Sequence, residues 1–237
     1  MRKIHALVLL SLLFLGLIQR PAFAADNGVK EAEGLWEYTG LVTRDGQSLP
    51  LTGVFLISKD VFLQQSIFNE EPFSTAGSMA HVGPYWAGGA GLRLRSDQTL
   101  SLDPKADESL RSLGVLEHDL KVERNGDELT LTFGGGTSTV QTFRHLGNAE
   151  DTQLIPFADG ALALADGYFI LVVGDSERVV SGYGGYTKTG TELQLELIRW
   201  AESDGESVTN RKDETITATL DDTALTLADG RRFAIKP

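Results

Sequence analysis

The chain has 237 residues, with 33 acids against 21 lysines and arginines and no cysteine. A net charge of −12 repels nucleic acid and anionic lipid headgroups, so neither is an expected partner. The missing cysteine excludes disulfides, thiol chemistry and a lipoprotein anchor.

The chain opens on Met1-Arg2-Lys3, followed by an uncharged run over 6–18 rich in Leu, Val, Phe and Ala. That run has 13 residues, whereas a membrane-spanning helix needs about 20. Ala22-Phe23-Ala24 then supplies a small-x-small site. The pattern is that of a secretory signal peptide over residues 1–24, cleaved after Ala24, and it implies a periplasmic or secreted protein. Cleavage removes Arg2, Lys3 and Arg20 and no acid, so the net charge of −12 becomes −15. Residues 25–31 read as an N-terminal linker. No later stretch is apolar enough to span a bilayer as a helix.

From there the chain alternates in twos. Strand patterns fall at 54–58, 61–68, 91–95, 118–123, 129–133, 168–173, 178–183, 192–200, 215–220, 224–227 and 232–236. In Leu193, Leu195 and Leu197 the apolar side chains share one face, opposite Gln194 and Glu196, as in a sheet with one wet side. The links are turn chemistry: Asp45-Gly46, Asn125-Gly126-Asp127, Thr189-Gly190 and Asp229-Gly230. Residues 104–113 form the one helical candidate, with Leu110 and Leu113 three apart. About 12 to 16 strands are expected, at the spacing of barrels and sandwiches.

Two segments read as copies of one plan. Gly53-Val54-Phe55-Leu56-Ile57 corresponds to Gly167-Tyr168-Phe169-Ile170-Leu171, and a Gly/aromatic corner follows each. The closing hairpins, Glu128-Leu129-Thr130-Leu131 and Thr223-Ala224-Leu225-Thr226-Leu227, also correspond. The pattern divides the chain into units over 32–147 and 151–237, joined at the polar stretch 147–151. Two tandem barrels and one larger composite barrel both fit, giving an all-β, antiparallel meander class.

The first unit resembles the lipocalin-like (calycin-type) β-barrel families. Gly34-Leu35-Trp36 opens its first strand, Gly53 leads an apolar strand, and His81-Val82-Gly83-Pro84-Tyr85 makes a corner. The resemblance implies that Gly34, Trp36 and Arg144 form the barrel base, with Trp36 as plug and Arg144 over its ring. It also implies a small apolar or amphipathic molecule held in a barrel.

Motifs of chemistry are few. Outside the first 24 residues the histidines are His81, His118 and His145, and none has metal-ligand spacing. No Gly-x-Ser-x-Gly elbow and no phosphate loop occur, and no cofactor is implied. Gly134-Gly135-Gly136-Thr137 joins two strands and reads as a hairpin loop. If the protein is an enzyme, His81, Tyr85 and Glu37 are its acid–base candidates. Ligand contacts are expected from Tyr85, Trp86, Tyr183 and Tyr186, aromatics interleaved with glycine. Arg199, which the alternation puts on the face of Leu193, Leu195 and Leu197, is the expected polar anchor. Arg93 and Arg95 alternate against Leu92 and Leu94 and are expected in solvent. The expected function is binding or carriage of a small, partly apolar molecule in a barrel cavity. The alternatives are a barrel isomerase, cyclase or hydrolase, and a cell-envelope interaction module with filled barrels.

Overall fold

The computed structural model describes residues 22–134 and 139–236. Most of the signal segment, and the link 135–138, lie outside the described residues.

The chain folds into two antiparallel β-barrels. The first contains β1 (Gly34–Val42), β2 (Leu51–Ser58), β3 (Val61–Phe68), β4 (Ser78–Gly88), β5 (Gly91–Ser96), β6 (Gln98–Leu102), β7 (Leu110–Ser112), β8 (Leu116–Asn125), β9 (Glu128–Phe133) and β10 (Val140–Gly147). Eight of these close a ring, β1-β2-β3-β4-β5-β8-β9-β10, with β10 returning beside β1. The β6–β7 hairpin branches from the first half of β4, Ser78 opposite Leu102. A 3-10 turn, Phe73–Thr75, precedes β4.

The second barrel contains β11 (Gln153–Phe157), β12 (Gly160–Ala165), β13 (Tyr168–Gly174), β14 (Val179–Thr189), β15 (Glu192–Ser203), β16 (Val208–Arg211), β17 (Glu214–Leu220), β18 (Ala224–Leu227) and β19 (Arg232–Ala234). Here the order is β11-β12-β13-β14-β15-β17-β18-β19, and β16 branches from the second half of β15. The ends nearly close: Phe157 bridges Ile235, and the Lys236 amide donates to the Pro156 carbonyl (2.8 Å). Closure leaves few unpaired edges to aggregate.

Period-2 alternation splits each wall between two cores. Phe55 and Ile57 of β2 face the first barrel's interior, while Val54 and Leu56 face outward. Phe169, Leu171 and Val173 of β13 fill the second barrel, while Ile170 and Val172 face outward. The outward sets meet in a third core between the barrels. On β12, Leu162 and Leu164 point in and Ala161, Ala163 and Ala165 point out. The small outward side chains let the two walls approach closely. A strand covered on both faces reads as a continuous apolar run, which is why β2 and β13 look so similar in sequence.

The structure corrects two sequence expectations here. Residues 104–113 form turns and β7 instead of a helix. A helix would bury Leu110 and Leu113 together, but Leu110 is buried between the barrels and Leu113 is 47% exposed. The expected linker 25–31 belongs to a helix, α1 (Ala22–Ala32), which packs on β4, β5 and β8. Its end is held where the Trp36 indole donates to the Ala32 carbonyl (2.8 Å). No described helix is long and apolar enough to cross a membrane.

Candidate functional site

Three places gather chemistry. The first is inside the first barrel. Its base is closed by α1 and by Trp36, which is fully buried. Above the apolar base lies a polar layer. The Tyr38 hydroxyl donates to Gln141 Oε1 (2.8 Å), and Gln64 Nε2 contacts both that oxygen (3.3 Å) and the Tyr38 hydroxyl. His81 Nδ1 lies 3.4 Å from Ser96 Oγ. Burial first, and then the charge of His118, pushes His81 down to about 4, so its imidazole is neutral at neutral pH. Burial also lowers His118, whose ring meets Phe133 edge-on at 5.1 Å.

The second place is the mouth of the second barrel, a cavity of about 570 Å³. Val173, Val180 and Phe233, from the barrel core, form its apolar walls. Arg178, Arg231, Arg232 and Glu202 supply charge. Glu202 Oε2 accepts from the indole of fully buried Trp200 (2.7 Å) and from Arg231 Nη2 (2.8 Å). Arg231 also pairs with Asp229 (2.6 Å), and this holds its head at the rim. Asp175 and Asp204, also at the rim, each accept two backbone amides of their own turns at Oδ1, which lowers both carboxyls.

The third place is the seam between the barrels, where Tyr183 and Arg199 lie opposite each other on β14 and β15. A bulge in this pairing falls between Tyr183 and Gly184, opposite Arg199 and Leu197. The extra residue corrects the expected face of Arg199. Past the bulge the alternation inverts, so Trp200 enters the barrel and Arg199 leaves it. Gly182 is required beneath Trp200, since a Cβ there would sit 2.4 Å from the indole. Arg199 Nη2 donates across the seam to Thr52 Oγ1 (3.1 Å).

The other expected site residues are scattered. Gly34 opens β1 with φ +137°, packed against the Gly147 carbonyl. Trp36 fills the base, but the cation over its ring is Arg124, 4.9 Å from the centroid. Arg144, expected there, is paired with Glu37 on the outer face. The register explains this: Trp36 opposes His145 and Glu37 opposes Arg144, so Arg144 shares the outward side of Glu37. Tyr85 is buried near the base, its hydroxyl donating to Glu33 Oε1 (3.1 Å). Trp86 is 38% exposed on the outer wall. Tyr186 packs into the second barrel six residues along β14 from Val180, away from the cavity. Arg93 and Arg95 reach solvent beside Asp119 and Asp97. The structure thus brings together Glu37, Tyr183 and Arg199 at the seam and leaves His81, Tyr85, Trp86 and Tyr186 apart. Among the described residues, no group of three His, Cys, Asp or Glu side chains could hold a metal ion.

Sequence reasoning missed the residues of the polar layer other than His81, and the whole cavity rim. Adjacent Gln64-Gln65 in an apolar run was a usable signal, since one of them must face each side of a strand. Glu202, two residues beyond Trp200, had to share its face. Compared with protein-family models, curated proteins and solved structures, the chain matches none.

Proposed function

We propose that the protein is an exported, lipocalin-like carrier that binds a small, partly apolar molecule in the mouth of its second barrel. One observation carries the reading: a cavity of about 570 Å³ in which the core side chains Val173, Val180 and Phe233 lie beneath a rim of charged and hydroxyl side chains, a concave site that offers a small molecule both apolar and polar contacts. Val173, Val180 and Phe233 would take the apolar part of the ligand, and the Glu202–Arg231 pair its polar end. The N-terminal segment supports export.

Acid–base catalysis has less support. An imidazole held near 4 is a weak base at neutral pH. Glu37 lies outside the barrel, tied to Arg144. The Tyr85 hydroxyl is occupied by Glu33 at the plugged end.

The test is native mass spectrometry of mature protein from its own host, together with titration by an anilinonaphthalene sulfonate dye. Trp200, bonded to Glu202 at the cavity wall, is the fluorescent reporter, and Trp200→Phe identifies its signal. A stoichiometric compound released on denaturation, or saturable dye binding that quenches Trp200 and is lost in Phe233→Asp, supports carriage. Protein that is empty by mass and leaves Trp200 emission unchanged overturns it.

A further inference from the structure

The seam holds hydrogen-bond donors that neither barrel satisfies. Arg199 Nη1 donates to the Ile198 carbonyl (2.7 Å) and Nη2 to Thr52, but its Nε–H is buried without an acceptor. Tyr183 is 1% exposed, and its hydroxyl also has no partner. Burial holds this phenol protonated, against the pull of Arg199, so it is an O–H donor at neutral pH. The Arg199 guanidinium lies over Phe73 at 5.5 Å from the ring centroid, and the Lys212 ammonium lies over the same ring at 4.8 Å.

Charge at this place runs against the rest of the molecule. The chain carries 33 acids, yet among the described residues no carboxylate lies within salt-bridge distance of Arg199 or Lys212. Glu37, the acid that acts on Tyr183, is already tied to Arg144. A partly buried guanidinium without a counter-charge is costly, and so is a buried donor without an acceptor. Stacking on Phe73 explains why the two cations are near the ring. It does not explain the idle Nε–H and phenol; the buried acceptors Gln65 Oε1 and Asn210 Oδ1 are unpaired as well, so neither serves these donors.

We propose that the seam is a binding site for a small oxyanion, a carboxylate or a phosphate, accepting hydrogen bonds from Arg199 Nε and the Tyr183 hydroxyl, with Lys212 as the outer cation. Charge-assisted bonds to an oxyanion are the strongest these donors can make. Arg199 and Tyr183 come from the second barrel, while Thr52 and Phe73 come from the first. Occupancy would therefore brace the two walls together. The site is separate from the mouth cavity, so either can fail alone.

The test is a titration of mature protein, at constant ionic strength and near-neutral pH, with inorganic phosphate and separately with acetate. The Arg199 Nε–Hε resonance is followed by NMR. The expected result is a saturable shift for one of the two anions, which identifies the ligand as phosphate or carboxylate. Tyr183→Phe keeps the ring and should weaken binding about tenfold, as expected for one lost bond to a charged partner. Lys212→Gln should weaken it about threefold, as for a partly screened charge. Arg199→Gln should abolish it. A resonance that stays put, or drifts without saturating, up to about 50 mM of either anion, an affinity too weak for a built site, overturns the proposal. So does Tyr183→Phe binding as tightly as the parent while keeping its thermal midpoint.

Discussion

Along its axis the first barrel changes from an apolar base under Trp36, Phe62 and Leu92 to a polar layer of Tyr38, Gln64, Gln141, His81 and Ser96. The second barrel stays apolar, through Leu162, Phe169, Leu195 and Trp200, until Glu202 and Arg231 at its mouth. Its polar groups line a cavity, while several of those in the first barrel bond one another. A closed hydrogen-bond network gives a core a definite arrangement and leaves a ligand little to bind. A ligand site therefore follows the cavity and not the count of interior polar residues.

Removing an anchor should strain this comparison most. Trp200→Ala and Trp36→Ala each delete a fully buried indole, and each should cost about 3–5 kcal/mol in urea unfolding. Only Trp200→Ala should also disturb the cavity and dye binding. A near-neutral Trp36→Ala would remove the case for a plugged base.

Acid should separate the barrels next, because the second contains no histidine. His81 titrates near 4 in the folded chain and near 6.5 when unfolded. In that interval the unfolded chain binds more protons. The stability from neutral His81 is complete above about pH 6.5 and is lost as pH falls through about 4. His118 acts in the same direction. The full shift corresponds to about 3 kcal/mol, and partial exposure of the ring reduces it to about 2. Unfolding at several pH values should show a loss that His81→Gln flattens. The rim carboxyls, Asp175 and Asp204, are lowered by hydrogen bonds. Their stabilisation is lost only at lower pH, outside this window. A loss equal in wild type and variant would mean that His81 is not the group responsible.

Gln141→Leu should cost about 1–3 kcal/mol, because it leaves the buried Tyr38 hydroxyl and the Gln64 amide short of partners. Replacing all three by apolar side chains of similar shape should recover most of that loss, and failure to recover would deny that the network is closed. The smallest effect is expected outside: Arg95→Ala breaks an exposed pair with Asp97 and should cost at most about 1 kcal/mol.

Much of the wall architecture was legible in the chain because alternation is local. The leucines of β15 and the Leu92/Leu94 face of β5 declare their sides without any partner. The matching of Gly53–Ile57 with Gly167–Leu171 pointed to a repeated plan. Little of the candidate site was legible. Its residues meet through pairings between distant segments, and one bulge is enough to carry Arg199 from an interior to a seam.

By itself the sequence determined an all-β chain of short antiparallel strands and an acidic, thiol-free composition. Those properties depend on composition and on a two-residue period. Tertiary structure alone decided that both faces of β2 and β13 are buried, because each is covered by a wall from the other barrel. It decided that Arg124 and not Arg144 lies over Trp36, because strand register sets which side chains share a face. It also decided where a cavity remains, since that depends on how the far ends of the chain, β11 and β19, come together.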